Sequence, residues 1–485
     1  MQNAIKDTLK KIVGDARFFD EASILDKYGK GIGFVPDGEP QCVLKPSVLD
    51  EIKDIIQVAN SNALNVATCS SGFPRINGAS TPVGEAMVLD LSEMKRILRI
   101  NRRNRVAIIE PGVTFTQLKE AAKQEGMRLM MPLLPRTTKS VIASYLEREP
   151  ATMPRYHWDS PDPLITTEVV YGTGDIMRTG SSAGPGTPKE MQNYGSAQKN
   201  PLGPGATNFT SFLTGAQGTM GIVTWASVKL ELLPTIKKPY FVQSHDINKL
   251  ISAMYSMTRC RLADEFFILN NRNVISIIDK NSGQPQPDAS IWTMFYCISG
   301  LNYAPEKRVT YQEKEIEDIL KENGLSKTKE IPHTTSKKFL NILDTPKPGT
   351  PWKLGSKGAF QEIFFVTTLD KINAHLSVIN HEIAESGYNS DEMGVYIQPI
   401  EFGRSCHCEF SFSYDPNNKE KSSMVSNLFL RCVERLMDDG AFFSRPYGPV
   451  AEMAYQKCKN TVKALKLVKD TFDPNGILNR GKLCF

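Results

Sequence analysis

Apolar residues in the first part of the chain recur at the spacings of short strands alternating with amphipathic helices. Apolar runs at residues 42–46 and 65–68 predict two strands, and between them residues 52, 55, 56 and 59 are apolar at helical spacing. Ser47 and Asp50 predict a capping box at the start of this helix. The pattern indicates a β-α-β unit whose second strand runs directly into the small residues 69–72.

The same alternation continues to residue 234. Thr114 and Gln117 predict a second capping box after Pro111-Gly112, and GTGD at residues 172–175 predicts the turn of a β-hairpin. Residues 6–13 have the spacing of a short amphipathic helix. The remaining predicted strands are residues 87–91, 106–110, 166–171, 176–179 and 222–233.

Beyond Pro234 the helices become longer and the strands stand singly between them. This pattern predicts an α+β layer, a sheet with helices on one face. The predicted helices are residues 247–258, 306–322, 370–385, 421–437 and 454–472. The predicted strands are residues 291–298, 363–367, 394–400 and 407–414.

Composition limits the class of protein. At 485 residues, with 40% hydrophobic and 23% charged residues, the chain has the make-up of a soluble globular protein of two domains. A net charge of +5 gives no general reason to expect nucleic acid or an anionic membrane as partner. Without a signal peptide or an apolar span of about 20 residues, the expected location is the cytoplasm.

The cysteines argue against several kinds of site. There are nine, an odd number, without a CxxC pair. This usage fits reduced thiols better than a disulfide framework, and it supplies no iron–sulfur cluster. Cys406 and Cys408 would point away from His407 on a regular strand, so no metal site is expected.

Two glycine-containing segments are candidates for close approach to a ligand: TGAQGTMGIVT at residues 214–224 and IIEPGVT at residues 108–114. Backbone without a side chain can meet a phosphate or an isoalloxazine ring. Gly215, Gly218 and Gly221 lead into a strand instead of a helix, which disfavours a Rossmann dinucleotide site. A β-bulge or tight bend explains these glycines equally well. For residues 69–72, the alternative to a pyrophosphate loop is an ordinary turn.

A basic run lies between two of the predicted strands. Most such runs are solvated loops, and this is the main interpretation. A docking patch for an acidic electron-transfer protein is the sharper alternative. The run consists of Lys95, Arg96, Arg99, Arg102, Arg103 and Arg105.

Irregular sequence between residues 132 and 162 mixes aromatic and basic side chains with prolines. Long loops of this kind are often functional, and aromatic residues suit a ring-shaped ligand. Each of these aromatic side chains could equally belong to the core. The candidate pocket residues are Tyr145, Tyr156, His157 and Trp158, with Tyr396 from a later strand.

In this order, five motifs resemble the flavoprotein family of vanillyl-alcohol oxidase and para-cresol methylhydroxylase, which also includes glycolate and D-lactate dehydrogenases. The resemblance implies an α+β FAD-binding domain at residues 1–234, an inserted α+β substrate or cap domain at residues 235–443, and a return to the first domain at residues 444–485. The motifs are CVLKPSVLDEIKDIIQVAN from residue 42, MVLDLSEMKRIL from 87, IIEPGVTFTQLKE from 108, TGAQGTMGIVT from 214 and DTFDPNGILNRGKLCF from 470.

The resemblance also implies which residues hold FAD. Residues 69–72 would be the pyrophosphate loop, and the segments after residues 110 and 214 would line the rest of the cofactor. The first loop lacks the histidine to which many relatives attach flavin, so non-covalent FAD is expected. The implied cofactor-binding residues are Thr68, Cys69, Ser70, Ser71, Gly72, Pro111, Gly112, Val113, Gly215, Gly218, Thr219, Gly221, Ile222, Asn479 and Lys482.

Two later motifs, at residues 403–415 and 444–453, resemble the phenol-oxidising branch. That branch begins the second motif with a Tyr-Arg pair that binds a phenolate, and here the pair is Ser444-Arg445. Arg445 is the candidate for fixing a substrate anion, phenolate or carboxylate. His407 and Glu401 are candidate proton acceptors, although an isolated strand histidine is more often structural.

The resulting hypothesis is an FAD-dependent dehydrogenase that takes a hydride from an aromatic alcohol, alkylphenol or hydroxy acid. Its electrons would pass to a protein partner, a cytochrome or iron–sulfur subunit, and the chain would be a homo-oligomer or part of a complex. The loss of tyrosine at position 444 leaves an alternative, a flavin-bearing electron-transfer subunit without a small-molecule substrate. A non-redox, alkyl-transferring use of flavin is a third possibility, for which the residues give no lipid-phosphate site.

Overall fold

A computed structural model describes residues 1–155, 162–184, 186, 188–193, 195, 200–278, 291–355 and 357–485. Short strands dominate the part before residue 235. They are β1 (Phe18–Phe19), β2 (Glu39–Leu44), β3 (Val66–Cys69), β4 (Glu85–Asp90), β5 (Ile97–Asn101), β6 (Val106–Ile109), β7 (Met127–Arg128), β8 (Leu164–Val170), β9 (Ile176–Arg178), β10 (Ile222–Lys229) and β11 (Glu231–Leu232). The helices are α1 (Asn3–Val13), α2 (Ala22–Gly29), α3 (Leu49–Ser61), α4 (Phe115–Gln124), α5 (Val141–Leu146), α6 (Pro188–Asn193) and α7 (Thr210–Leu213).

Longer elements follow in the rest of the chain. The strands are β12 (Ile236–Ser244), β13 (Phe266–Asn270), β14 (Trp292–Gly300), β15 (Lys327–Thr328), β16 (Glu330–Ile331), β17 (Thr334–Thr335), β18 (Ala359–Thr367), β19 (Met393–Ile400) and β20 (Ser405–Tyr414). The helices are α8 (Ile247–Arg259), α9 (Asn271–Ile278), α10 (Pro305–Glu322), α11 (Ser336–Leu343), α12 (Ile372–Ser386), α13 (Lys419–Asp438), α14 (Pro449–Gln456) and α15 (Lys459–Phe472).

The first sheet has the order β1-β2-β4-β3, with β2, β4 and β3 parallel. Helix α3 buries its predicted apolar face against this sheet, so the predicted β-α-β unit is confirmed. Its predicted capping box is wrong, because the N-cap residue is Val48 and the Ser47 backbone N–H donates to Glu51 Oε2 at 2.7 Å. The chain end also joins this sheet: Val66 N–H donates to Ile477 O and Asn479 N–H donates to Val66 O.

The second sheet is antiparallel, in the order β5-β6-β10-β8-β9. The Thr114 capping box at the start of α4 is present with both of its hydrogen bonds. Strand β5 corrects the loop prediction for the middle of the basic run, around Arg99, whereas Arg102, Arg103 and Arg105 lie in the turn that follows. Ile97 and Ile100 pack against the core of this sheet, and their apolar signal is hidden among the arginines.

The third sheet has seven strands in the order β15-β12-β14-β13-β19-β20-β18. Helices α8, α10, α12 and α13 cover one face. Contrary to the prediction of helices on one face only, α9 and α11 pack on the other, together with Leu134, Trp352 and Tyr396. The predicted final helix is divided at Lys457 and Cys458 into α14 and α15. In the described part of the chain, no helix is both long and apolar enough to cross a bilayer.

The fold class is the predicted α+β arrangement, in which the chain end returns to the first sheet and the layer with the seven-stranded sheet is inserted between the two parts. The first boundary predicted at residue 234 falls between β11 and β12. The domain limits 1–234, 235–443 and 444–485 themselves stay a prediction.

Buried ion pairs join the first part of the chain to the third sheet. Arg128 on β7 donates to Asp264 Oδ2 at 2.7 Å and to Glu265 Oε1 at 3.2 Å. Lys237 on β12 reaches Glu265 at 3.1 Å and Asp344 at 3.1 Å. Burial alone would lower the pKa of Lys237, but Glu265 and Asp344 outweigh burial and raise it. Charges removed from water must be compensated, so the Arg128 pairs fix how the two parts meet, and Lys237 supports Glu265 from within the second part.

Replacing Arg128 by methionine tests this junction. We expect Arg128→Met to lower the free energy of unfolding by about 3–5 kcal/mol, because Asp264 and Glu265 are left buried without their main cation. Urea unfolding followed by circular dichroism measures the loss. Arg308→Met, at an exposed position on α10, is the matched control and should change stability by less than about 0.5 kcal/mol. Equal losses in both variants would contradict the assignment.

Candidate active site

A deep cleft lies where the loops of the first two sheets face the third sheet. It spans about 1820 Å³ of space between the walls, part of which is open solvent. Of the predicted site residues, the structure brings to its walls Thr68, Cys69, Ser70, Ser71, Pro111, Gly215, Gly218, Gly221, Tyr396 and Arg445.

The loop after β3 forms one end of the cleft, at the carboxyl edge of the parallel strands where α/β sheets bind ligands. Gly72 N–H donates to Thr138 O at 2.9 Å, and a Cβ on Gly72 would come within 2.8 Å of Thr138 Cβ. Ser71 Oγ accepts from Ser140 N–H at 3.1 Å. Gly72 therefore allows the loop to lie flat against the neighbouring segment, while Ser70 and Ser71 face the cleft.

Arg75 follows this loop and was not predicted. It is buried at the cleft wall, with its guanidinium carbon 4.4 Å from the ring centre of Tyr28 and 4.2 Å from that of Phe73. Nη2 contacts Cys69 Sγ at 3.0 Å. Nε and Nη1 have no hydrogen-bond partner within the described ranges. A buried cation with free donors beside small loop residues fits an anionic group such as a diphosphate.

The segment after β6 supports the middle of the cleft. Gly112 N–H donates to Met94 O at 2.7 Å, and a Cβ on Gly112 would lie 2.5 Å from Ser92 O. Ser140 Oγ donates to Pro111 O at 2.6 Å. Val113 is fully buried in the core. Pro111 therefore faces the cleft, whereas Gly112 and Val113 hold its position from behind.

The glycines before β10 line the cleft beside the end of β3. Gly218 has φ +75°, and a Cβ there would lie 2.7 Å from Thr68 Oγ1, so this segment packs directly on the end of β3. Thr219 is buried, its hydroxyl donating to Ala216 O at 2.7 Å, and Ile222 belongs to the core. These two residues support the wall and do not line it.

The carboxyl-terminal segment supports the cleft wall from outside the cleft. Asn479 is fully buried, and its Nδ2 donates to Ala79 O at 3.0 Å and Gln217 O at 2.6 Å, two residues of the cleft wall. Its Oδ1 has no partner among the described residues. Lys482 Nζ donates to Gly78 O at 2.8 Å, and burial lowers the pKa of this amine to about 8. The tail therefore ties two loops of the cleft together.

On the side of the third sheet, the cleft contains a buried cation. Arg445 Nη1 donates to Glu147 O at 3.1 Å, and its guanidinium lies 4.2 Å from the ring centre of Phe364. Tyr447, two residues later, lines the same wall with its ring 6.0 Å from Phe364. Burial raises the pKa of the Tyr447 hydroxyl above its usual value. A guanidinium and a phenol thus stand together, although position 444 is serine.

A cluster of ionisable groups lies beside Arg445. Lys353 Nζ is 2.7 Å from Glu362 and 2.5 Å from Glu409, and Glu409 is 3.5 Å from His407 Nε2. Burial opposes ionisation of Glu409, yet Lys353 and His407 lower its pKa to about 2. Burial lowers the pKa of His407 to about 4, more than Glu409 can raise it. At neutral pH, Lys353 and Glu409 are therefore charged and the imidazole of His407 is neutral.

Several predicted residues lie elsewhere. Tyr145 is in the core, where its hydroxyl donates to Met130 O at 2.6 Å, and Glu401 pairs with Arg404 at 2.7 Å away from the cleft walls. His407 stands behind Glu409, near the ring of Tyr396. The predicted residues Tyr156, His157 and Trp158 fall outside the described residues. Their roles as site residues remain predictions.

Comparison with known proteins agrees with this geometry. Residues 40–180 match the model of an FAD binding domain, and residues 447–483 that of the C-terminal domain of FAD linked oxidases. The chain is 22% identical to glycolate oxidase subunit GlcD of Bacillus subtilis over 99% of its own length and 96% of the relative. It is 24% identical to the 4-cresol dehydrogenase [hydroxylating] flavoprotein subunit of Pseudomonas putida over 52% and 47% of the two chains.

A solved structure shares the fold. The chain superposes on p-cresol methylhydroxylase with substrate bound with a TM-score of 0.84 and 19% identity, over 100% of this chain and 96% of that one. The fold and the matched domains define an FAD-dependent oxidoreductase. The chain thus contains two domains of FAD linked oxidases and is similar to the family of vanillyl-alcohol oxidase and para-cresol methylhydroxylase; its relatives include a glycolate oxidase subunit and a cresol dehydrogenase flavoprotein subunit.

The residues present fit FAD. The cleft combines a turn of small residues with buried donors of Arg75 that have no partner among the described residues. An unsatisfied buried polar atom costs about 1–3 kcal/mol, so these donors are suited to a polar ligand. Within the described part of the chain, no group of three or more His, Cys, Asp or Glu side chains is suited to a metal ion.

We expect Arg75→Met to weaken FAD affinity about 10- to 100-fold, because hydrogen bonds from a charged group are worth about 1.5–3 kcal/mol. Titration of the apoprotein with FAD, followed by quenching of flavin fluorescence, measures the change. Arg75→Lys keeps the positive charge, so its loss of FAD affinity should be smaller. The melting temperature of the apoprotein should not fall in Arg75→Met, since an uncompensated buried cation is removed. A large fall with unchanged FAD affinity would show that Arg75 is structural.

Proposed function

We propose that this protein is an FAD-dependent dehydrogenase that takes a hydride from an aromatic alcohol, alkylphenol or hydroxy acid and passes the electrons to a protein partner. One observation supports this most strongly. The cofactor loops face a buried cluster of Arg445, Lys353 and Glu409 across a single cleft. Bound FAD would supply the hydride acceptor, and the residues of this chain would hold the substrate and its proton.

Arg445 is the proposed anchor for the substrate anion. Its guanidinium is planar, buried and stacked on Phe364, which restricts its orientation. A fixed guanidinium binds a carboxylate or phenolate through paired hydrogen bonds. Tyr447 adds a hydroxyl at the same wall. It would supply the phenol group that Ser444 cannot. An anion held here would have its oxidisable carbon in the cleft that FAD shares.

Glu409 and His407 are the proposed route for the substrate proton. Glu409 faces the cleft and is positioned to accept a hydrogen bond from a substrate hydroxyl. His407 behind it is neutral at pH 7, so it can receive the proton and then form an ion pair with Glu409. Lys353 is a positioning residue, because it pairs with both Glu409 and Glu362 and lowers the pKa of Glu409.

Aromatic side chains give the pocket its shape. Phe360, Phe364, Tyr396 and Tyr447 line the cleft on the third sheet, with Trp352 at its edge. Aromatic walls favour flat apolar groups beside the anion. This composition supports the aromatic substrates within the proposed class. The charged cluster also disfavours the alternative of a substrate-free electron-transfer subunit, whose cap cavity should be small or apolar.

We infer that FAD is held without a covalent bond. No histidine is found among the described residues that line the cleft, and Cys69 is buried against Arg75. Acid precipitation should therefore release the yellow cofactor into the supernatant. Colour that remains with the precipitate would contradict this inference.

Anaerobic titration with a panel of phenols, aryl alcohols and hydroxy acids tests the proposed function. We expect one class to bleach the flavin absorbance of the purified protein, and the reduced protein to react slowly with air. Fast reoxidation by oxygen would make the protein an oxidase. A yellow protein that no member of the panel bleaches would favour the electron-transfer subunit, and a protein that binds no FAD would overturn the proposal.

The pH dependence tests the role of Lys353. In the wild type, Glu409 and His407 hold pKa values near 2 and 4, so the rate of flavin reduction by substrate should be flat above about pH 5. In Lys353→Met, burial would raise the pKa of Glu409, and the acid limb should move up by at least about one pH unit. Rapid-mixing absorbance measures this profile.

Lys353→Arg is the control, since it keeps the positive charge and should restore most of the wild-type profile. FAD affinity should be unchanged in both variants. If Lys353→Met lowers the rate equally at every pH, Lys353 has no part in the ionisation of Glu409.

A further inference from the structure

The basic run at residues 93–105 concentrates the charge of the protein. It contains six arginine and lysine residues and one glutamate, a net charge of +5 that equals the net charge of the whole chain. The remaining residues therefore sum to zero. A positive field confined to one place steers partners of opposite charge toward that place.

The basic run lies at the unpaired edge of the second sheet. Strand β5 is the outer strand of the second sheet, and Arg102, Arg103 and Arg105 are exposed in the turn that follows. These three side chains have no acidic partner in the described part of the protein. One or two charges are enough to protect a strand edge from aggregation. This edge carries more basic residues than that role requires.

The start of β5 is joined to the wall of the cofactor cleft. Met94 O accepts from Gly112 N–H, and Arg96 O accepts from Glu110 N–H at 3.1 Å. Arg96 also donates to Glu110 Oε1 through Nε and Nη2. Pro111, between these two hydrogen-bonded residues, lines the cleft. From there the strand leads roughly 13 Å to the exposed turn, at about 3.3 Å per residue.

We propose that the exposed edge formed by Lys95, Arg96, Arg102, Arg103 and Arg105, here called the basic edge, is the docking surface for an acidic electron-accepting protein. The inference rests on the proposed function, which requires electrons to leave for a protein partner. A partner placed along the basic edge lies against the backbone that supports Pro111. Electrons then cross a short distance from the cofactor cleft to the partner without passing the substrate side.

The test removes charge from the basic edge and an equal charge elsewhere. Arg102→Gln/Arg103→Gln/Arg105→Gln leaves the structural pair of Arg96 and Glu110 intact. The matched control, Lys459→Gln/Lys463→Gln/Lys466→Gln, removes three exposed charges from α15. The probes are native cytochrome c, which is basic, and cytochrome c made acidic by succinylation of its lysines, both with the same haem.

Binding of the FAD-loaded protein to immobilised probe is measured at low and high salt. The wild type should bind the succinylated probe at least about tenfold more tightly than the native one, with a loss of affinity between roughly 20 and 200 mM salt. The arginine variant should bind the succinylated probe about tenfold more weakly than the wild type, and the α15 variant less than about twofold more weakly. Reoxidation of photoreduced protein by the succinylated probe should follow the same order, whereas reoxidation by neutral benzoquinone should not change.

Equal losses in the two triple variants, or no loss in either, would overturn the docking surface. Photoreduction needs no substrate, so the binding and reoxidation assays can be carried out even if no substrate bleaches the flavin. Failure of the substrate panel together with normal charge-dependent binding would count against the proposed substrate chemistry alone.

Discussion

Compensation of buried charge determines how this structure is assembled. The first two sheets and the seven-stranded sheet each have an apolar core of their own, but charged side chains meet where they join. Arg128 is paired with Asp264 and Glu265 across the junction, and Lys353 is paired with Glu362 and Glu409 on the cleft wall of the seven-stranded sheet itself. Each pair is stable only in one arrangement, because a displaced partner would leave a charge without water or counterion. The cleft therefore has a defined shape, with cofactor loops on one wall and a charged cluster on the other.

Close backbone contacts shape the cofactor side of the cleft. Gly72 and Gly218 let two loops approach within the space of a missing Cβ, and Asn479 joins residues 79 and 217 from the chain end. The last residues also extend the first sheet beside Val66. Two segments separated by more than 400 positions thus form one wall.

Local signals predicted much of the fold. The β-α-β unit, the Thr114 capping box and the glycine wall depend on neighbouring residues, and all three are present in the structure. Strands β12 and β13 were missed, since their pairing is with distant strands. Of the site, Arg445 was identified by its motif, and Glu409 could have been found two residues from His407 on the same strand face. Lys353 and Arg75 gave no signal, because only the folded chain places them against their partners.

A crystal structure with FAD and 4-hydroxybenzoate tests the central claim most directly. The account predicts the diphosphate at residues 69–72 and Arg75, the isoalloxazine ring between Pro111 and the third sheet, and an anionic oxygen of the ligand on Arg445 beside Glu409. A flavin ring that is separated from Arg445 by protein, or a ligand bound outside this cleft, would contradict the assignment of one shared site for cofactor and substrate.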